Sequence, residues 1–267
     1  MGKFDGILIC TDLDGTLLNS SRKISKENIE AIEYFKSEGG LFTFITGRMP
    51  CLVGEIYSAI RPNAPFGCIN GGGIFDGEAK EYIMTTEMLP SVLTLVGYVY
   101  DNMPEMGIQL NCFDKIYFSR NNTSMENFRK ITNVPNLCLH YSELREPLAK
   151  IVFGDTRKEE IAKLERLLCS HPLSEKFDLV SSEETLFEIL PKGISKGSVL
   201  PVLAKHLGID MSKTIAIGDY NNDVAMLRIA GTGIAVANAC DAAKQAADRI
   251  TVSNDEHAIR QIISELE

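Results

Sequence analysis

A chain of 267 residues, 45% hydrophobic and 24% charged, is long enough to bury a sizeable core. Its net charge of −9 and pI near 5.1 exclude a broad basic surface for nucleic acid. No stretch approaches the roughly 20 apolar residues that span a bilayer, so no membrane partner is expected.

The opening MGKFDGILIC carries an apolar run too short for a secretory signal. Cys10, Cys51, Cys68, Cys112, Cys138, Cys169 and Cys240 form no CxxC, and the four histidines are scattered. That pattern lacks zinc-ligand spacing and fits reduced thiols, so a cytoplasmic location is expected.

In chain order, Ile7–Cys10 reads as a strand buried on both faces. Ser25-Lys-Glu-Asn opens a helix with Ile29, Ile32 and Phe35 on one face and Gly39-Gly40 as its stop. Leu41–Ile45 and Phe66–Ile69 are further strands, running into Thr46-Gly47-Arg48 and Asn70-Gly71-Gly72-Gly73. This alternation predicts a parallel sheet with right-handed crossovers.

The middle of the chain changes rhythm. GGGIFDGEAKEYI suggests a hairpin, and Ile108–Phe113 and Ile116–Ser119 flank a short turn. Helices are expected at 87–102, 124–132 and 158–170, and strands at 150–153 and 177–181. From Leu186 the earlier rhythm resumes, with a helix opened by Ser195-Lys196, a strand Thr214–Ile217 and a helix over 221–229. The fold class is α/β: a doubly wound, Rossmann-type parallel-sheet core from residues 1–82 and 187–267, with an inserted α+β module at 83–186.

Asp12-Leu13-Asp14-Gly15-Thr16 comes directly after the first strand, where open parallel sheets bind ligands. Two carboxylates two residues apart can aim at one small site if Gly15 lets the chain curl. A hard divalent cation, with Mg²⁺ the natural choice, would relieve their repulsion. The same residues could equally cap the following helix. Gly218-Asp219-Tyr220-Asn221-Asn222-Asp223 is a second acidic strand end, and read alone it is a polar loop capping a helix. Thr46-Gly47-Arg48 could bring a hydroxyl and backbone N–H groups to a phosphate, but alone reads as a turn. A single Lys196 near a helix start is ordinarily a solvated charge.

In this order and at these strand ends, DLDGT, TGR, Lys196 and GDYNND resemble the haloacid dehalogenase-like hydrolase superfamily. The length and the insertion resemble its Cof-type phosphatases, whose cap is of type IIB. The resemblance implies Asp12 as nucleophile and Asp14 as general acid and base. It implies Leu13, Thr46, Gly47, Lys196 and Asn222 as phosphate-binding residues. Asp12, Asp14, Asp219 and Asp223 would serve the metal, with Asp14 contributing its backbone carbonyl. The cap is expected to close, exclude water and select the leaving group.

The implied substrate is a small phosphorylated metabolite, with sugar phosphates, FMN and pyridoxal phosphate all open. Rival readings are a phosphosugar mutase of the phosphomannomutase type and a non-catalytic phosphometabolite binder. Two features depart from the family pattern or stay open. The tail reads Asn254-Asp255-Glu256-His257-Ala258, with His-Ala where Asp-Gly is usual. Within the insertion, Tyr117, Asn111 and Arg145 could touch a sugar or other leaving group, but a surface role is the reading taken for each.

Overall fold

The computed structural model describes residues 2–267, which divide into two compact units. One comprises the chain up to Met84 together with Ser195–Glu267; the other is Thr85–Ile194. The first pass of the chain builds β1 (Leu8–Thr11), α1 (Lys26–Ser37), β2 (Leu41–Phe44), α2 (Gly54–Ile60), β3 (Phe66–Cys68), β4 (Gly73–Asp76) and β5 (Glu81–Thr85). The second unit contains α3 (Val92–Asn102), β6 (Gly107–Cys112), β7 (Ile116–Arg120), α4 (Thr123–Thr132), β8 (Leu137–Cys138), β9 (Leu148–Gly154), α5 (Lys158–Cys169), β10 (Phe177–Glu183) and β11 (Leu186–Pro191). The chain then returns through α6 (Lys196–Leu207), β12 (Thr214–Gly218), α7 (Val224–Ile229), β13 (Thr232–Ala235), α8 (Asp241–Ala246), β14 (Arg249–Ile250) and α9 (Ala258–Ser264).

The first unit is organised by a five-stranded sheet in the order β14-β13-β12-β1-β2, every pair parallel. All four residues of β1 are buried, as a strand covered on both faces requires. Strand register fixes where the loops emerge. Thr11 lies opposite Ile217 on one side and Phe44 on the other, so β1, β12 and β2 end level. The segments starting at Asp12, Asp219 and Thr46 therefore leave the sheet at one edge. A parallel bridge between Ile45 and Gly67 carries the sheet on toward the smaller β3-β4-β5 sheet.

Local chemistry sets the helix starts. Ser25 Oγ accepts from the Asn28 N–H at 3.3 Å, and Gly39, at φ +89°, turns the chain out of α1. Ser195 and Ser198 form a reciprocal capping box, which fixes Lys196 in the first turn of α6.

The second unit is a six-stranded sheet, β10-β11-β9-β6-β7-β8, antiparallel apart from the short β7/β8 pair. Val92, Leu95, Val96 and Val99 of α3 and Ile161, Leu164 and Leu168 of α5 share one core with Ile108, Leu110, Ile151, Phe153, Phe187 and Ile189. Strand β11 pairs with both β9 and β10, so this unit runs through Ile194 and the chain re-enters the first unit at Ser195 rather than at 187. Asn111 is a correction: it is 1% exposed, on the central strand β6, directly opposite the buried Lys150 of β9. Tyr117 donates to Glu146 at 2.8 Å, and Arg145 donates to the carbonyls of Ser142 and Leu144. Among the described residues, no helix is long and apolar enough to cross a membrane.

Candidate active site

Lys196 is the centre of the site. It is 1% exposed, and its Nζ donates to Asp12 Oδ1 at 2.5 Å and to Asp223 Oδ1 at 2.7 Å. The solvated-charge reading of this lysine therefore fails. Its depth comes from packing: a Cβ at Gly197 would sit 2.7 Å from Ala225, so α6 and α7 approach as closely as backbones allow. Asp223 ties its own loop to α6. Its second oxygen accepts from the backbone N–H groups of Asp219 and Tyr220, each at 2.9 Å.

Asp219 completes the cluster, accepting from Thr16 Oγ1 at 2.7 Å. Gly15, at φ +80°, is required for this approach, because a Cβ there would lie 2.5 Å from Asp219 Oδ2. Carboxylate oxygens of Asp12, Asp219 and Asp223 lie within 4.8 Å of one another. Burial, with the neighbouring carboxylates opposing the relief from Lys196, holds Asp12 well above the usual carboxylate range. Burial and then Asp223 push Asp219 up to about 6. For Lys196, burial works against the charge, but Asp12 and Asp223 outweigh it and hold the ammonium above its ordinary value. Three carboxylates against one ammonium leave a formal charge of −3 + 1 = −2 around an all-oxygen donor set. A divalent, oxygen-seeking cation fits that deficit.

The other expected residues gather at the same edge. Asp14 is exposed and paired with Arg48, whose Nε and terminal nitrogen donate to its two oxygens at 2.8 and 2.6 Å. This fork-to-carboxylate pair fixes the orientation of Asp14 more firmly than one bond could. Leu13 is fully buried, and its carbonyl accepts from the Leu18 N–H at 2.8 Å, curling the loop. Thr46 is buried, with its hydroxyl accepting from the Arg48 N–H at 3.2 Å. Gly47 passes close to Asn70: a Cβ would meet Asn70 Oδ1 at 2.9 Å. Asn70 adopts φ +52° and accepts from Asn222 Nδ2 at 3.0 Å, which ties the TGR edge to the GDYNND loop.

Three supports are not visible in the sequence alone. Arg48 stands within TGR, but its fork to Asp14 needs the register of β1 and β2. Asn238 Nδ2 donates to the Gly15 carbonyl at 2.8 Å, and Asn238 in turn accepts from the Asn254 N–H. Asn254 Nδ2 donates to the Leu18 carbonyl at 2.9 Å, and Asp255 accepts from the Ser20 N–H. The tail that departs from the pattern thus still braces the DLDGT loop. His257 sits at φ +61° immediately before α9, a left-handed position at a helix start.

A parallel sheet that sets a buried lysine among clustered aspartates at its strand ends, with a separate α+β cap, defines a hydrolase of phosphoryl-transfer architecture. The family model for haloacid dehalogenase-like hydrolases matches residues 9–263, and the chain belongs to that family. Phosphatase YwpJ of Bacillus subtilis is 31% identical over 289 residues, covering 97% of this chain and 99% of its own. The 5-amino-6-(5-phospho-D-ribitylamino)uracil phosphatase YitU of the same organism is 27% identical over 263 residues, covering 97% and 96%. A crystal structure of a haloacid dehalogenase-like hydrolase from Bacteroides thetaiotaomicron superposes with a TM-score of 0.86 at 27% identity, covering 98% of this chain and 99% of that one. The chain is a phosphatase of the Cof type, with a Rossmann-like core and a cap.

Proposed function

We propose that the enzyme is a Mg²⁺-dependent phosphatase that hydrolyses small phosphorylated metabolites through an aspartyl-phosphate on Asp12. The observation that carries the reading is the placement of Lys196, buried between Asp12 and Asp223 at 2.5 and 2.7 Å. A phosphate brought to Asp12 would meet an ammonium that is already desolvated and already oriented, so charge stabilisation costs little reorganisation.

In the first half-reaction an Asp12 oxygen forms a bond to phosphorus while the bond from phosphorus to the ester oxygen breaks. Asp14 gives its proton to that departing oxygen, which leaves as an alcohol. In the second half-reaction Asp14 takes a proton from water, the water oxygen bonds to phosphorus, and the bond to Asp12 breaks. Arg48 orients Asp14 for both transfers. Thr46, Gly47 and the Leu13 backbone bind phosphate oxygens, and Asn222 supports that edge through Asn70. Asp12, Asp219 and the Asp14 backbone carbonyl would hold the Mg²⁺, with Asp223 behind them; the ion would neutralise phosphate charge. The second unit selects the leaving group. The ribityl phosphate named for YitU supports a phosphorylated metabolite as substrate.

The test is phosphate release from a panel of phosphorylated metabolites, with Mg²⁺ and with EDTA, by wild type and Asp12→Asn. Mg²⁺-dependent release that the variant loses is the expected outcome. Release that survives in Asp12→Asn would sink the nucleophile assignment. Transfer with phosphate conserved on the organic product would favour a mutase instead.

A further inference from the structure

The turn 236–240, which follows β13, joins three segments of the first unit. Its backbone N–H groups at Val236 and Cys240 donate to the carbonyls of Gly218 and Asp219, at 3.3 and 2.9 Å. The Ala237 N–H donates to the Val252 carbonyl, beyond β14, at 3.2 Å. The turn is thereby fixed to the end of β12 and to the chain's tail. From it Asn238 reaches the DLDGT loop. Its side chain is exposed, yet both ends of the amide are engaged by backbone groups of other segments. Nδ2 donates to the Gly15 carbonyl at 2.8 Å, and Oδ1 accepts from the Asn254 N–H at 3.0 Å. Exposed bonds of this kind contribute little to stability, because water can replace either partner. What they give is position.

Gly15 is where that position matters. At φ +80° and without a Cβ it can pivot, and the peptide that would swing lies directly after Asp14. Inside the curl, the Leu17 and Leu18 N–H groups donate to the carbonyls of Asp12 and Leu13 at 3.3 and 2.8 Å, and Asp14 bridges to Leu18. Asn254 Nδ2 clamps the far end of the curl through the Leu18 carbonyl at 2.9 Å. Asn238 clamps the near end. Arg48 fixes the Asp14 carboxylate, so the two asparagines fix the main chain that carries it. A proton transfer needs its acid within hydrogen-bond reach of the departing oxygen, and a misplacement of about 1 Å can cost about 100-fold in rate.

We propose that Asn238 is a positioning residue for proton transfer. By tying the Gly15 carbonyl to the turn 236–240, it sets where Asp14 stands when it protonates the leaving oxygen and when it takes a proton from water. Asn238 acts through Gly15 and is not itself a catalytic residue. This rests on the reading in which Asp14 carries the proton.

The experiment follows aspartyl-phosphate by rapid quench with phenyl phosphate and 4-nitrophenyl phosphate. The two esters are alike in shape, but phenolate is the poorer leaving group and depends more on the acid. Asn238→Ala should slow formation from phenyl phosphate by about 10- to 100-fold, and from the nitro ester by less than about 3-fold. Breakdown should slow by one common factor, whichever ester was used. Asn238→Asp keeps an acceptor for Asn254 but cannot donate to Gly15, so it should match Asn238→Ala. The melting temperature should fall by less than about 6 °C, since only exposed bonds are lost. Amide exchange at Leu17 and Leu18 should quicken by about 10-fold or more while β1 stays protected. Equal slowing of both esters, wild-type rates in Asn238→Asp, a larger fall in melting temperature or unchanged exchange would each overturn the assignment. Asp14→Asn separates this outcome from failure of the mechanism. Without the ester contrast in Asp14→Asn, the mechanism itself fails; with the contrast there but not in Asn238→Ala, only the role of Asn238 does. Exchange is read without substrate, so it decides the brace even where neither ester turns over.

Discussion

Replacing Lys196 with Met keeps a similar volume and removes the one cation among three clustered carboxylates. The ammonium makes 2.5 and 2.7 Å bonds to Asp12 and Asp223, and the side chains of this trio are at most 8% exposed. Taking one partner from such a network leaves uncompensated charge in a low-dielectric pocket, at a cost of roughly 3–5 kcal/mol. For a chain of this size each kcal/mol moves the melting temperature by about 2–4 °C, so the drop at pH 7.5 in EDTA should be on the order of 6–20 °C. The pH dependence has a definite sign. Asp219 titrates near 6 in the folded protein against an ordinary value of 3.8, so the folded state binds the extra proton. Its contribution to stability is fully present below about 3.8 and is lost as pH rises through about 6. Asp12 is raised in the same direction. The Lys196→Met deficit should therefore shrink between about pH 7.5 and 5, as protonation discharges the cluster. Scanning calorimetry at both pH values measures it. A deficit that is pH-independent, or smaller than about 1 kcal/mol, would refute the view that the Lys196 ammonium offsets the cost of burying its carboxylate partners.

Two other perturbations probe the same edge. Gly15→Ala forces an L side chain to φ +80° and places a Cβ 2.5 Å from Asp219 Oδ2. We expect the Mg²⁺ concentration for half-maximal activity to rise by about 10-fold or more, a shift of about 1.4 kcal/mol; an unchanged Mg²⁺ titration would remove Asp219 from the metal set. Asp14→Asn keeps the shape but cannot give up or take a proton. It should slow aspartyl-phosphate formation and breakdown alike, by roughly 10²–10⁴-fold in rapid-quench traces, and wild-type rates in either phase would contradict its assigned role.

The core was legible because its signals are local. Apolar β1, the Ser25 cap and the Gly39 stop appear at the residues that carry them, since short-range sterics and caps decide such features. The site was legible only as an ordered set. Each of Asp12, Thr46, Lys196 and Asp219 has a bland reading on its own; what joins the first, second and last is the level register of β1, β2 and β12, and what brings Lys196 to them is the close packing of α6 on α7. Supports that depend on long-range pairing were not readable. Nothing near Asn254 in the chain indicates that its amide will reach Leu18, and nothing near Arg48 shows that its guanidinium will grip Asp14.

The second unit shows the limit most clearly. Alternation along β6 separates Gln109 and Asn111 from Ile108 and Leu110, but it does not say that a side chain without an apolar partner is buried. Asn111 reads as a surface residue because asparagine is usually exposed. Its neighbours in the sheet are set by β9 and β7 pairing on either side, and by the register shifts at Ile108/Gln109 and Asn111/Cys112, which no short window contains. Leu186–Pro191 escapes for a related reason: its apolar residues would suit a strand of either sheet, and only its pairing with β9 and β10 assigns it to the second. Where a strand's partner is chosen by the whole fold, the surroundings of its residues are set by neighbours the linear sequence conceals.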